Sequence, residues 1–539
     1  EGEHATDGEI DVTIGAGTAS TTAVAGTLSV GGAFTIPASI GSSGQVLKVP
    51  ASGTILEWGS GGGGASAIDD LSDAKKLSTS MFVGTVSSAL SESDQKWNTA
   101  AGVKTLESLT TGNANTAFGY WALGKTTTAN SNTAFGSEAL RDNTTGANNT
   151  AVGNYSLISN STGNNNTATG SHTLNSNTTG VSNTANGYYS LAANTTGDYN
   201  TAFGSSSLES NTTGEANTAA GTNALNKNTS GDVNTGVGNW SLYQNTTGDA
   251  NTAIGQRSLE NNTTGSANVA LGRRALNSNT TASANNAMGY EALKSNTTGT
   301  RNIAIGYGAL DEPDTENDNL AIGYDALGGA VAGGESNLAI GNYALDALTA
   351  GDDNLGIGQS ALTDVTSGNR NIAIGKEALK AQTTSHNNVA IGRWAGDAIT
   401  TGGDNVVIGN NADLNSATGT NQIVSGSGAV GTADNTVQLG NTSITNVKTS
   451  GTITAGAVTY PKTDGSANQV LKTDGSGTLG WTSVSSTPSG AIMMFAAGSA
   501  PSGWLICDGS AVSRATYADL FSTIGTTYGA GDGSSTFNL

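Results

Sequence analysis

The middle of the chain repeats one pattern of small, apolar and polar residues every 17 residues. Glycine recurs at this spacing from Gly102 to Gly323 and, after one 18-residue step, from Gly341 to Gly409. Leucine follows four residues after each glycine from Leu106 onwards in nearly every unit. Nineteen such units predict a stack of like structural units rather than one globular core.

Each unit has two turn signals around short extended runs. Residues 251–267 read Asn-Thr-Ala-Ile-Gly-Gln-Arg-Ser-Leu-Glu-Asn-Asn-Thr-Thr-Gly-Ser-Ala. Asn-Thr-Thr-Gly is typical of a turn, because glycine accepts a left-handed conformation and Asn and Thr side chains bond to nearby backbone. Seventeen residues are too few for a pair of helices but fit one coil of a β-solenoid. With coils about 4.8 Å apart, the nineteen units predict a rod of roughly 90 Å.

Alternate residues of the run before each glycine face opposite sides of an extended strand. The residue two positions before the glycine is alanine in most units and glycine at Gly236 and Gly356. Such small residues predict that another backbone approaches closely. The alanine column therefore lies either inside a thin coil or at the seam between the chains of a trimer.

The other face of the run changes from polar to apolar along the chain. Three positions before the glycine, every unit from Thr99 to Thr252 has threonine, and the units from Val269 onwards have mostly Val, Ile or Leu. We expect this column to stack in the core with the leucine column, which would make the C-terminal half more apolar and more stable. Thr169 and Asn186 occupy the slot directly before the glycine, so the expected core needs a polar ladder or trapped water there.

The repeats resemble those of known surface fibres. The Asn-x-Ala-Ile-Gly cores at residues 302–306, 371–375 and 388–392 look like the head repeats of trimeric autotransporter adhesins, and the unit is also similar to repeats of phage tail fibres. The adhesin heads are left-handed parallel β-rolls in a trimer. The resemblance therefore implies an all-β protein with an elongated parallel β-solenoid (β-roll) in a homotrimer. The adhesin unit is shorter than 17 residues, so the coil shape is expected to differ.

Two stretches outside the array are copies of each other. Residues 37–58 and 461–481 share a Pro, a Gln-Val-Leu-Lys run and a Trp, with one residue deleted in the second copy. Neither copy can bury its apolar side chains alone, and both resemble the intertwined β-modules of phage fibre shafts. The glycine-rich residues 59–64 predict a hinge. For residues 66–97 two alternatives stay open: a short helix near residues 91–96, or Met81-Phe82-Val83-Gly84 as an irregular first coil.

The last fifty residues closely resemble the phage tail collar domain of short and side tail fibres. The resemblance rests on Pro-Ser-Gly-Ala-Ile-Met-Met-Phe at 488–495, Ala-Pro-Ser-Gly-Trp-Leu-Ile-Cys-Asp-Gly at 500–509, Tyr-Ala-Asp-Leu-Phe at 517–521 and the glycine-rich run that ends in Thr-Phe-Asn-Leu. In that family the sequence usually continues into a Pro-Asp-Leu-Arg-Gly stretch and a receptor-binding tip. That continuation does not follow Leu539, so the receptor-binding residues stay unknown.

Composition and charge narrow the possible functions. The 539 residues include 77 glycines and only 12% charged residues, with a formal net charge of −21. The acidity argues against nucleic acid as a partner, because phosphate binding relies on clustered Lys and Arg. No apolar run approaches the ~20 residues of a membrane span, so we expect no membrane insertion. The single cysteine, Cys507, excludes a disulfide within the chain.

No constellation of residues indicates catalysis or metal binding. Three histidines are scattered along the chain without Cys or His companions: His4, His172 and His386. Cys507 and Asp508 have no histidine base nearby in sequence, so we interpret them as core and turn residues. We therefore predict no catalytic, cofactor-binding or metal site, and no cofactor.

Acidic and aromatic residues beside the turns recur with the repeat. Four acidic residues at 17-residue spacing predict a solvated edge rather than the paired carboxylates of a polysaccharide depolymerase: Asp198, Glu215, Asp232 and Asp249. Eight aromatic residues near the glycines or turns either stack on sugars or cover the coil edges: Trp121, Tyr155, Tyr188, Tyr189, Tyr199, Trp240, Tyr243 and Tyr290. We favour the covering role.

Together these features predict a non-enzymatic, homotrimeric phage tail fibre. The expected domains are an N-terminal shaft module with hinge (1–65), a linker or irregular first coil (66–97), the β-roll array (98–426), a second shaft module (427–487) and a shortened collar-like domain (488–539). Expected partners are two further copies, a phage baseplate or tail protein on the N-terminal side, and a host surface glycan or protein through the C-terminal tip. The expected location is the virion tail fibre, outside the cell.

Two alternatives belong to other classes. One is a bacterial trimeric adhesin or extracellular filament subunit, and the other is a depolymerase tailspike. The collar-like end favours the phage fibre, because adhesins of this kind end in a membrane anchor.

Overall fold

A computed structural model describes residues 96–312, 315–329, 333–451, 453–456, 458–461, 463–484 and 487–539, together with six short strands between residues 28 and 83. Its contacts divide the chain into two compact units, Glu1–Ser443 and Ile444–Leu539. The regular structure within these ranges is 33 β-strands and one helix. The predicted all-β class with a parallel β-solenoid is confirmed.

The first unit contains two hairpins and a long ladder. The first five strands are β1 (Leu28–Val30), β2 (Phe34–Ile36), β3 (Gln45–Lys48), β4 (Glu57–Ser60) and β5 (Ala74–Leu77). β1 pairs antiparallel with β2, and β3 pairs antiparallel with β4. β5 pairs antiparallel with the strand that opens the ladder.

The ladder has one short parallel strand per coil, and the usual register pairs each residue with the residue 17 positions further on, as Ala253 pairs with Ala270. Its strands are β6 (Ser80–Val83), β7 (Thr99–Ala101), β8 (Thr116–Phe118), β9 (Thr133–Phe135), β10 (Thr150–Val152), β11 (Thr167–Thr169), β12 (Thr184–Asn186), β13 (Thr201–Phe203), β14 (Thr218–Ala220), β15 (Thr235–Val237), β16 (Thr252–Ile254), β17 (Val269–Leu271), β18 (Asn286–Met288), β19 (Ile303–Ile305), β20 (Leu320–Ile322), β21 (Leu338–Ile340), β22 (Leu355–Ile357), β23 (Ile372–Ile374), β24 (Val389–Ile391), β25 (Val406–Ile408), β26 (Ile423–Ser425) and β27 (Val437–Leu439).

The ladder runs beyond both ends of the predicted array. Met81 in β6 pairs in parallel with Thr99 in β7, which favours an irregular first coil over a helix in this region. Residues 91–95 of the alternative helix, and residues 61–64 of the predicted hinge, lie outside the described residues. At the other end β26 still lies within the predicted array, and β27 adds one coil beyond it, shortened to a 14-residue step between Ile423 and Val437.

The alanine column lies inside each coil. Ala253 in β16 has no solvent exposure, and neither does Leu259 in the leucine column. The two columns pack against each other: a Cβ added at Gly236, which replaces alanine in one coil, would lie 3.3 Å from Cγ of Leu225. Of the two locations left open for the alanine column, the coil interior is therefore the observed one.

The residues on either side of that alanine face outward, so the prediction that they stack in the core is wrong. Ile254 is 44% exposed next to the fully buried Ala253. Thr169 and Asn186, for which a polar ladder or water was expected, lie on the same outer face. The alternation was predicted correctly, but the coil is too thin for a large residue opposite the leucine. Alanine therefore points inward.

A polar ladder does run through the interior, and it is formed by the asparagine that precedes each strand. Asn251 is fully buried, and its N–H donates to Oδ1 of Asn234 at 2.9 Å. Its Nδ2 donates to the carbonyl oxygen of Gly265 in the closing turn of the same coil, at 2.8 Å. A second ladder joins Nδ2 of Asn262 to Oδ1 of Asn245 at 2.7 Å. Both ladders satisfy backbone and side-chain groups that water cannot reach.

The glycine that follows each strand allows neighbouring coils to approach. Gly255 has φ of 132°, and a Cβ there would lie 2.6 Å from the backbone carbonyl carbon of Gly272 in the next coil. The following corner uses non-glycine residues in the left-handed region, with Arg257 at φ 58° and Leu259 at φ 49°. Buried hydrogen bonds and packing around the leucine must hold this costly conformation.

The second unit consists of two hairpins, one helix, and a two-stranded antiparallel sheet whose strands lie on either side of the helix in the sequence. Its elements are β28 (Ile453–Ala455), β29 (Val458–Tyr460), β30 (Gln469–Thr473), β31 (Leu479–Ser483), β32 (Ala511–Ser513), α1 (Ala518–Ile524) and β33 (Thr536–Asn538). The duplicated sequence forms the same hairpin twice, since the register pairs Leu47 with Trp58 in β3 and β4, and Leu471 with Trp481 in β30 and β31. We expected these modules to intertwine with the same modules of other chains, and this stays a prediction.

Candidate functional site

The outer face of the solenoid strands carries no charge. In β7–β27 none of the outward residues is Asp, Glu, Lys or Arg, whereas 12% of the whole chain is charged. The polar-to-apolar gradient seen in the sequence therefore lies on the surface. A charge-free strip of this kind is a candidate for contact with another protein surface.

The predicted acidic edge forms, and its carboxylates bond to the backbone of the neighbouring coil. Oδ1 of Asp198 accepts the N–H of Val181 at 2.7 Å. Oδ1 of Asp232 accepts the N–H of Glu215 at 2.7 Å, and Oδ1 of Asp249 accepts the N–H of Asp232 at 2.8 Å. Each carboxylate replaces a solvent hydrogen bond at a turn, which favours the structural interpretation over a catalytic cleft.

A stretch of acidic residues with few cations lies further along the solenoid. Burial raises the pKa of Asp311 to about 6, and the nearby carboxylates of Glu312 and Asp325 add to the shift. Burial also raises the pKa of Asp325 and of Asp346. Among the described residues, no group of three or more His, Cys, Asp or Glu side chains is placed to hold a metal ion.

Aromatic side chains on the coil corners stack mainly on one another. Ring centroids of Tyr290 and Tyr307 are 5.0 Å apart at 13°, and those of Tyr307 and Tyr324 are 5.1 Å apart at 8°. The ring of Trp240 stacks on Tyr243 at 4.4 Å. Because neighbouring rings already cover these faces, the geometry favours the covering role, and sugar binding stays a hypothesis.

The histidines in the described part of the chain serve the solenoid itself. His172 lies between Tyr155 and Tyr189, with ring centroids 5.1 Å and 4.8 Å away. Nδ1 of His386 accepts the N–H of Asn369 at 2.9 Å, at the position that Asp or Asn occupies in other coils. His4 lies outside the described residues.

The end of the second unit packs around one buried ring. Phe537 in β33 is fully buried, and its centroid lies 5.1 Å from that of Phe521 in α1. The guanidinium of Arg514 lies 4.5 Å from the Phe521 ring centroid, and its Nε donates to the Thr536 carbonyl oxygen at 2.9 Å. This cluster packs α1 against the two-stranded sheet of β32 and β33.

Carboxylates of the second unit close turns. Three successive backbone N–H groups, of Ser534, Ser535 and Thr536, donate to Oδ1 of Asp532 at 2.7–2.9 Å. Hydrogen bonds from Ser535 and its neighbours hold the pKa of Asp532 well below its usual range. Hydrogen bonds from Ser510 likewise lower the pKa of Asp508. Asp508 accepts the N–H of Ser510 at 2.9 Å, as a turn residue does. Cys507 is exposed, so its interpretation as a core residue is wrong.

The second unit also has a cleft and an exposed apolar segment close to this cluster. The cleft, about 960 Å³, is lined by Trp504, Leu505, Tyr517, Leu520, Ile524 and Tyr528 among others. Residues 492–495, Ile-Met-Met-Phe, are each at least 59% exposed, and Met494 is 98% exposed. Such a segment is typical of a surface that another polypeptide covers.

Sequence reasoning missed two features of the solenoid. The first is the asparagine ladder, whose signal was an Asn at one fixed position of almost every unit, replaced by Gln422 near the end. The second is the outward direction of the graded column. Its signal was the spread of sizes in neighbouring coils, such as Phe203 followed by Ala220, which a core of constant width cannot accept.

The comparisons with known proteins point to one family. Residues 490–539 match the family model of the Phage Tail Collar Domain. No curated protein matches the chain. Within the part of the chain that the structure describes, no helix has the length and apolar character that crossing a bilayer requires. The collar and the solenoid indicate a structural component of the virion tail. A phage tail collar domain in the same chain as a parallel β-solenoid of 17-residue coils supports a phage tail fibre with β-roll repeats.

Proposed function

We propose that this chain is the shaft of a bacteriophage tail fibre, which projects a receptor-binding tip and mediates adhesion to the host surface. The observation that carries the proposal is the phage tail collar domain in one chain with a solenoid of more than twenty coils. With coils about 4.8 Å apart, the ladder alone spans about 100 Å. A stack of this length acts as a spacer, and its partners are a baseplate or tail protein on one side and a host glycan or protein on the other.

The working form of the fibre is a homotrimer outside the cell. The exposed Ile492 and Met494 and the open cleft near Trp504 support this form, because a single chain leaves them in water. The exposed hairpin β30–β31, where Val470 is 48% exposed, needs a partner in the same way. The fibre has no enzymatic role, and its carboxylates and Cys507 act in turns.

Two measurements test these statements. Light scattering of the purified protein should give three times the 53.4 kDa chain mass, and a folded monomer would refute the trimer. Antibodies against the solenoid should label the tail fibres of the phage whose genome encodes the chain. Label elsewhere in the virion would refute the fibre.

A further inference from the structure

One part of the outer strand face is aliphatic throughout. In the seven consecutive strands β19–β25 both outward positions carry Ile, Leu or Val: Ile303, Ile305, Leu320, Ile322, Leu338, Ile340, Leu355, Ile357, Ile372, Ile374, Val389, Ile391, Val406 and Ile408. We call these residues the aliphatic strip. By contrast, the first outward position of β7–β16 is threonine in every strand.

The aliphatic strip is open to solvent in the single chain. Ile305, Ile374, Ile391 and Ile408 are 36–41% exposed, although coils above and below cover part of each side chain. Seven strands about 4.8 Å apart and three residues wide give a strip of roughly 34 Å by 10 Å. Contiguous apolar surface of this size on a soluble protein marks a contact surface.

Repeat spacing and charge select another copy of this chain as the occupant. The aliphatic strip is corrugated once per coil, and an identical strip matches that corrugation over all seven coils. Every chain carries a net charge of −21, so the uncharged face is where copies can approach each other. The whole outer face of β7–β27 offers roughly 1,000 Å² in projection, compared with about 800 Å² per partner in a standard interface.

Four of the seven strands of the aliphatic strip, β19–β22, lie in the most one-sided charge distribution of the chain, whereas β23–β25 belong to a stretch that also contains Arg370, Lys376, Lys380 and Arg393. Residues 302–369 contain eleven Asp and Glu and no Lys or Arg. Asp318 and Asp353 lie two residues before outward positions of β20 and β22, and Asp325 follows two residues after the glycine that ends β20. Carboxylates therefore lie on both edges of the strip within β19–β22, while Arg370 occupies the position equivalent to Asp353 in the next coil. The nearest paired cation is Arg301, whose Nε lies 2.6 Å from Oδ1 of Asp318.

Assembly along the aliphatic strip brings these acidic edges together. Unit charges of like sign repel over distances that salt shortens, from a Debye length of about 10 Å at 0.1 M to about 3 Å at 1 M. The apolar contact itself does not weaken in that range. The balance between contact and repulsion therefore shifts towards association as salt rises.

We propose that copies of this chain meet along the aliphatic strip, and that this seam tightens as ionic strength rises because acidic edges flank its first four strands, β19–β22. The inference rests on the proposed homotrimer and assigns its seam. It places the strongest contact in the coils of β19–β25 and a weaker, threonine-lined contact in the coils before β17.

Sedimentation velocity of the full chain over a dilution series tests the seam. Ile357→Asp places a charge at the centre of the aliphatic strip and should weaken association at least about a hundredfold, because the charge is buried without a partner. Val152→Asp is the matched control, at the same position of the coil in β10, and should weaken association by no more than about tenfold, because the contact between copies is weaker there. Ile357→Thr introduces the residue found at the same coil position in Thr169. It should fold as the wild type does, by circular dichroism, and associate at least about tenfold more weakly.

Association at low and at high salt tests the repulsion between the acidic edges. Wild-type association should strengthen about tenfold or more between about 0.1 M and about 1 M NaCl. Asp353→Asn should strengthen association at about 0.1 M and have no effect at about 1 M, which separates repulsion from general salting-out.

Each outcome decides one statement. Equal effects of Ile357→Asp and Val152→Asp, or no effect of Ile357→Thr, place the seam elsewhere and leave the homotrimer intact. If association weakens as salt rises, or if Asp353→Asn has no effect at low salt, the statement that repulsion between acidic edges opposes association is refuted. A wild-type chain that stays monomeric at every concentration refutes the proposed homotrimer itself.

Discussion

Replacing one buried asparagine should destabilise its coil far more than replacing an exposed one in the same coil. Asn251 accepts the N–H of Asn268 at 3.0 Å through Oδ1 and donates to the Gly265 carbonyl oxygen at 2.8 Å through Nδ2. Asn251→Ala removes these two bonds and two more at 3.1 Å, from Nδ2 of Asn251 to Oδ1 of Asn234 and from Nδ2 of Asn268 to Oδ1 of Asn251. The N–H of Asn268 then has no partner in a place without water, whereas Gly265 keeps a second bond from Nδ2 of Asn262 at 2.9 Å.

The size of the effect follows from these partners. An orphaned buried donor costs about 1–3 kcal/mol, and each lost bond whose remaining partner stays satisfied costs about 1 kcal/mol. Bonds of the second kind join Asn251 to Gly265, to Oδ1 of Asn234 and to Nδ2 of Asn268, which keeps its bond to the Ala282 carbonyl oxygen. We expect a loss of at least about 3 kcal/mol for Asn251→Ala. Asn261 is exposed, and only its Nδ2 bond to the Asn277 carbonyl oxygen at 3.0 Å is lost, so Asn261→Ala should cost no more than about 0.5 kcal/mol.

Hydrogen exchange followed by mass spectrometry measures this loss coil by coil, which suits a stack whose coils contact mainly their neighbours. Asn251→Ala should speed exchange in residues 251–284 about a hundredfold, while coils near β8 keep wild-type protection. Urea unfolding should show the same order of the two variants. If Asn251→Ala and Asn261→Ala exchange at the same rate, the ladder does not hold the coils together and the reasoning is refuted.

Three further outcomes follow from other contacts. Gly255→Ala should lower the free energy of unfolding by about 3 kcal/mol or more, because the added Cβ would lie 2.6 Å from the Gly272 backbone. Gly451→Ala is the control, because Gly451 has open space around it, and it should have no large effect. Equal melting temperatures of the two variants would contradict this. Asp311→Asn should stabilise the protein at pH 7: folding raises the pKa of Asp311 from 3.8 to about 6, so its ionised form costs stability above that pH, and the cost disappears as the pH falls towards 4. For this partly exposed group we expect about 1 kcal/mol, measured as melting temperature against pH, and a gain that persists at pH 4 would argue against it. Deleting residues 217–250, two whole coils, should shorten the solenoid by about 10 Å in electron micrographs without unfolding it, and a collapsed particle would show that the coils are not interchangeable.

Much of the fold could be predicted because it depends on spacing. Glycines 17 residues apart and the leucine four residues later, as in Gly255 and Leu259, are enough to predict coils of one size with one internal apolar column. The hairpin at β30–β31 and the collar could be predicted from duplicated or familiar motifs. The sequence does not predict whether the residues next to the alanine face inward, because alternation states only that the two faces of a strand differ. The space inside the closed coil determines which face points inward, and that space is known only once the turns of the coil are known.

The polar interior also explains why the candidate seam was hard to see in the sequence. Apolar residues in a repeat are ordinarily assigned to the core, so the Ile and Val of β19–β25 were assigned there. Yet β7–β16 build the same coil with threonine at the first outward position, while Ala253, Leu259 and Asn251 and their counterparts fill the interior. The coil therefore does not need aliphatic residues on its outer face, and water disfavours them there. Seven consecutive strands with such residues at both outward positions require a partner surface, and an identical strip on another copy meets that requirement without burying a charge.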